Sequence, residues 1–156
     1  MPSLTEVRDA AVALLQTVFP TLPRVEAFSG EITLDAVAEK GLPPGVSVLA
    51  AVVAADNEAP GDSLDLDVTA TFGALVVSNN VAGAESAEAE ALAVAEKTAL
   101  ALHGNDFGLP VSPAVVRSLE AVTDEELAGQ GVCVWSVLWR QSFAFSQGEN
   151  ADGVSV

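Results

Sequence analysis

The stretch Val46-Ser47-Val48-Leu49-Ala50-Ala51-Val52-Val53-Ala54 is apolar almost throughout. After the polar loop from Asp56 to Asp62 the chain alternates as Leu64-Asp65-Leu66-Asp67-Val68-Thr69-Ala70-Thr71-Phe72. A near-continuous apolar run of strand length fits a strand covered on both faces, so the first segment is expected at the centre of a sheet. Period-two alternation with β-branched residues fits a second strand with one wet face. That strand runs on through Gly73 to Val77, where the glycine suggests a bulge or bend. Together the two segments predict a long hairpin.

Upstream, Ser3-Leu4-Thr5-Glu6 offers an N-cap with an acid three residues on. Val7, Ala10, Ala11, Leu14, Leu15 and Val18 follow at helical spacing, so the first element is an amphipathic helix. Pro20 and Pro23 end it, because proline cannot donate to the helix ladder and forces its predecessor into extended geometry. Arg24 to Phe28 reads as a short strand, Ile32 to Glu39 as one or two helical turns, and Pro43-Pro44-Gly45 as the turn into the apolar run.

Downstream, Ala84 to His103 is built almost wholly of good helix formers, between the turn signals Ser78-Asn79-Asn80 and the stop Gly104-Asn105. Leu92, Ala95, Ala99 and Leu102 are expected on its packed face, with Glu85, Glu88 and Glu96 elsewhere. Two strands close the pattern, Ala114 to Val122 and the aromatic-rich Val132 to Phe145. The order of elements predicts one α+β domain over residues 1–146, a mostly antiparallel or mixed sheet packed by two main helices. Residues 147–156 form a polar tail that is expected to fray.

Six basic side chains face twenty-two acidic ones, a net charge of −16, with one histidine, one cysteine and no tyrosine. This is a thin set of groups for catalysis. The acidic surface argues against grip on nucleic acid or anionic lipid, since both require clustered Lys and Arg that displace counterions. Solubility or a salty environment would explain the charge, and so would a channel through which DNA slides without sticking. Half the residues are hydrophobic, yet no apolar run approaches the roughly twenty residues of a membrane-spanning helix. Met1 to Glu6 lacks the basic start and apolar stretch of a secretory signal, which predicts a protein that begins in the cytoplasm.

Each candidate for chemistry has a plainer reading. His103 sits at the end of a helix, where the dipole favours an imidazole, and has no cysteine or second histidine beside it to share a metal. Cys133 lies between Val132 and Val134 and reads as a small core hydrophobe. With no second cysteine there is no intrachain disulfide or cysteine cluster. Asp65 and Asp67 share a strand face and offer a cation site or an acid/base pair, but an exposed strand face is polar anyway. Asp124-Glu125-Glu126 suits the first turn of a short helix. Gly-x-x-x-x-Gly-Lys is absent, and the Gly-Leu-Pro tripeptides at 41–43 and 108–110 are turns. Trp135 and Trp139 fall on one strand face as core, or with Arg140 form an interface anchor if that face is open.

The opening helix, the Pro-Pro-Gly-Val-Ser-Val-Leu strand entry at 43–49, the Asp65 to Val77 strand and the helix to His103 form an ordered set. With the Gly108-Leu109-Pro110 turn, Val115-Val116-Arg117-Ser118-Leu119 and the closing Val134 to Phe145 strand, it resembles the tail-terminator, or tail-completion, proteins of Mu-like contractile-tailed phages. The resemblance covers Leu4 to about Phe145 and rests on size and order of elements.

It implies a structural virion protein with no catalysis and no cofactor, assembled in the host cytoplasm and located in the tail-neck region. Such a protein forms a homohexameric ring that caps the tail tube and joins it to the neck. Its partners would be further copies of itself, tube and sheath proteins, and neck or connector proteins, with DNA passing through unbound. Asp56, Asn57, Glu58 and Asp62 of the loop, with Trp139 and Arg140, are the expected partner contacts. The rival readings are another head-tail connector or neck subunit, and a small acidic cation- or ligand-binding module using Asp65 and Asp67.

Overall fold

In the computed structural model the described residues are 2–30, 33, 35–36, 43–57, 65–80, 84–122, 125 and 129–146. Helix α1 spans Leu4–Val18, and its first turn is capped as the sequence leads one to expect, the Ser3 hydroxyl accepting from the Glu6 amide at 3.1 Å. Strands β1 (Arg24–Ala27), β2 (Gly45–Asn57) and β3 (Asp65–Asn79) follow, then helix α2 (Ala84–Leu102), β4 (Val115–Val122) and β5 (Val132–Ser146). The helical turns expected over Ile32 to Glu39 fall largely outside the described residues, as does most of Asp124-Glu125-Glu126.

The five strands form one mixed sheet in the order β1-β2-β3-β5-β4. β1 pairs with β2 in parallel and every other pair is antiparallel. The hairpin of β2 and β3 is present, and β5 lies beside β3 over the whole length of both strands. Both helices pack on one face of the sheet, giving the expected α+β architecture. β3, not β2, is the middle strand. β2 is an inner strand only where β1 lines it, from Ser47 to Ala50.

Alternation sorts the strand residues between two faces. Val48, Ala50, Val68, Ala70, Phe72, Ala74, Val76, Val137, Trp139 and Phe143 face the helices and join Val7, Ala11 and Leu15 of α1 in the main core. The opposite face holds a smaller cluster of Phe28, Leu49, Ala51, Leu75, Val77, Val132 and Val134 at one end of the sheet. The apolar run that reads as covered on both faces is therefore covered to Ala51, and from Val53 to Asn57 it lies exposed.

Two local features depart from the sequence expectation. The bulge lies on β2, between Val52 and Ala54, opposite Phe72 and Thr71 and not at Gly73, which pairs with Ala51. Gly73 serves instead to leave room: a Cβ there would press on Leu138 Cδ2 at 3.1 Å and Val53 Cγ2 at 3.2 Å. On α2 the fully buried stripe is Ala87, Ala91, Ala95, Thr98 and Leu102, while Leu92 and Ala99 are half-buried. In so alanine-rich a helix the contrast between faces is faint, and packing on the sheet selects the small residues that allow close approach.

Candidate interaction surface

The candidates His103, Asp67 and Cys133 lie at separate places in the fold, at the end of α2, the far end of β3 and the start of β5. His103 follows the last turn of α2, and its Nδ1 accepts the Val116 amide at 3.2 Å, which ties the helix end to β4. Among the described residues no group of three His, Cys, Asp or Glu side chains is placed to hold a metal ion. Asp67 is exposed near the far end of β3, opposite Ala144. Asp65 lies two residues earlier on that strand, with its side chain outside the described set.

Cys133 is half-buried on the helix-facing side of β5. Burial pushes its thiol up, and the nearby Glu88 carboxylate adds to the effect. A thiol with a raised value in the folded state favours folding fully below the ordinary thiol range, a contribution lost as pH rises through the folded value. Because only the thiolate reacts, alkylation by iodoacetamide at pH 8 should run at least about tenfold slower in the folded chain than in urea. Equal rates would show that burial does not restrain the thiol.

The residues expected to meet partners separate into three places. Asp56 and Asn57 are exposed at the far end of β2, whereas Glu58 and Asp62 lie outside the described residues. Trp139 is wholly buried, its ring stacked on Phe72 at 5.5 Å between centroids, so it belongs to the core and is not available to a partner. Arg140, its neighbour in sequence, points to the opposite face and is exposed, as successive strand residues must.

What sequence reasoning missed is the polar clamp behind Trp139. Gln141 is buried; its Oε1 accepts from Trp139 Nε1 at 3.1 Å, and its Nε2 donates to the Ser112 carbonyl at 3.2 Å. A buried glutamine on the same strand face as two tryptophans was the available signal.

The open surface is the sheet face opposite the helices. Beyond the small cluster, Val53, Gly73, Leu75, Val122, Ser136 and Leu138 line a hollow of about 350 Å³. Past it lie Thr69, Thr71, Ser142 and Arg140, with the Thr69 and Ser142 hydroxyls 3.0 Å apart. At roughly 3.4 Å per residue, fifteen-residue β3 and β5 run ~50 Å. At 1.5 Å per residue α1 and α2 run only ~22 and ~28 Å. The sheet thus outreaches its two helices; Phe107, Leu109 and Val111 extend the cover over Val68 and Phe143, and the three-stranded tip lies beyond it, with Leu66 42% exposed there.

This arrangement offers surfaces to bind against, and among the described residues no three metal-ligating side chains converge. A family model, Bacteriophage Mu, Gp37, matches residues 3–144. The chain belongs to that family. The kinship with a Mu-like phage read from the order of elements is thereby borne out. A chain in the solved virion of a native gene transfer agent (GTA) particle shares the fold, with a TM-score of 0.53 and 18% identity, over 93% of this chain and 100% of that one. No curated protein matches the chain.

Proposed function

We propose that this chain is a structural component of a phage virion and, more narrowly, a tail terminator. It forms a ring that caps the tail tube, ends tube growth and joins the tube to the neck. Membership of a phage Mu family and a fold shared with a chain of a gene transfer agent virion support the structural role. The observation that carries the reading is the sheet that outreaches its helices. It leaves two separate places open, the part of the outer face around the hollow and the tip of β3 at Leu66.

A subunit with separate open surfaces can meet a sister copy on one and a tube or neck protein on another. In a ring the contact must be head-to-tail, and it closes only if the rotation between copies divides a full turn. The ring must also hold against the mutual repulsion of copies that each carry −16. Apolar and paired-charge contacts must therefore be concentrated at the joint. DNA leaving a capsid through such an acidic ring meets repulsion and not affinity. The chain is read as non-enzymatic, working through contacts with itself, the tail tube and sheath, and the neck proteins.

Light scattering on the purified protein, alone and then with tail-tube ends added, tests this. A closed ring of identical copies, in solution or only on tube ends, is the expected result. A chain that stays monomeric and ignores tube ends would overturn the terminator reading. A ring that binds connectors but not tube ends would move the protein to the neck.

A further inference from the structure

We infer that the outer face of α2 in one copy docks on the open sheet face of the next, Leu100 entering the hollow over Gly73 and Glu96 meeting Arg140. This rests on the ring reading and names the joint within it. Leu100 is 80% exposed, the most exposed large apolar side chain among the described residues. It points directly away from the buried stripe of α2, at helical spacing from Ala89, Ala93, Glu96 and His103, all of them exposed. The two alanines allow this face to come close to a second layer.

The open sheet face supplies the complement. Its hollow of about 350 Å³ is lined mainly by apolar side chains and includes Val53, itself 50% exposed. Arg140 lies beside it, two residues from Leu138 on the same face, and makes no ion pair among the described residues. Six cations serve the whole chain, so an exposed arginine without an acid beside an apolar hollow marks a contact with something acidic. The outer face of α2 offers the Glu96 carboxylate, while the neighbouring Lys97 is drawn aside over the Phe19 ring.

The spacing agrees at three points. Two residues along β5 separate Arg140 from Leu138 by ~7 Å. One helical turn separates Glu96 from Leu100 by ~6 Å. With Leu100 in the hollow and α2 antiparallel to β5, Glu96 reaches Arg140. His103, on the other side of Leu100, then falls beside Glu120, which pairs across the strands with Ser136. The His103 Nδ1 is occupied as an acceptor, so the proton on Nε2 is free to be donated to that carboxylate. The patch on α2 differs from the patch on the sheet, so the contact is heterologous and propagates around a ring.

Charge reversal tests this. Glu96→Arg and Arg140→Glu each place like charges at every joint, and each variant alone should assemble at least about a hundredfold more weakly than the native chain. Mixed in equal amounts they should assemble again. Alternate joints then pair the arginine introduced in one variant with the glutamate introduced in the other, and the joints between them keep the native pair of Glu96 with Arg140. Leu100→Asn should weaken assembly at least about tenfold. All three side chains are exposed, so an unchanged circular dichroism melt confirms folding. If the native chain forms rings and the two reversals assemble as well as it does, or fail to rescue each other, this joint is wrong while the ring stands. If the native chain forms no ring even on tube ends, the ring reading falls and the joint with it.

Discussion

Trp139→Ala should lower the melting temperature by roughly 10 °C or more. The indole is wholly buried in the main core, between the sheet and the helices, and stacks on Phe72 with an interplanar angle of 19°. Removing it opens a large cavity in the main core, at a cost of about 3–5 kcal/mol, a substantial part of the about 5–15 kcal/mol that holds a domain of this size folded. The substitution also strips the Gln141 Oε1 of its donor in a place water does not reach, leaving a buried polar atom unsatisfied. Phenylalanine at 139 keeps the stack and loses only the hydrogen bond and part of the volume, so it should fall between the two. A shift of under about 3 °C for the alanine variant would show that the core does not hinge on this residue.

Gly131→Ala should be nearly as damaging, through backbone alone. Gly131 sits in the turn before β5 at φ +79°, and a Cβ there would run into the backbone carbonyl oxygen of Asn80. The Asn80 amide in turn donates to the Gly131 carbonyl at 3.0 Å, so the two segments cannot separate without losing that bond. Left-handed strain plus displacement of β3 from β5 at this end predicts a loss of about 2–4 kcal/mol, read by urea unfolding. Gly104→Ala is the control. Its φ of +81° carries the same strain, but the space around it is open, so it should cost only about 1 kcal/mol. Equal losses at the two positions would show that the Asn80 contact has no weight.

Much of the fold was legible because its signals are local. The Ser3 cap, the 3.6-residue spacing of Val7, Ala11 and Leu15, and the two prolines after Phe19 fix α1 within the first two dozen residues. Period-two alternation from Leu66 to Phe72 fixes β3 and sorts its residues between faces. The candidate surface was legible only in part. Asp56, Asn57 and Arg140 are exposed, but Trp139 is core, because adjacent strand residues point in opposite directions and the sequence does not say which face the helices cover. The outward position of Leu100 was hidden by the composition of α2, where alanine is equally at home on either side.

From the sequence alone came the identity and order of the elements, the thin chemistry, the strong negative charge and the likeness to a phage family. These follow from short-range backbone geometry and from composition, which need no knowledge of neighbours. The tertiary structure alone decided that β5 lies between β3 and β4, that β1 runs parallel to β2, and that one sheet face stays open around Gly73. Strand order depends on contacts between residues as far apart as Val68 and Phe143, and so does the choice of covered face. The free energy of such contacts comes from burial in the assembled core, which no local window of sequence contains.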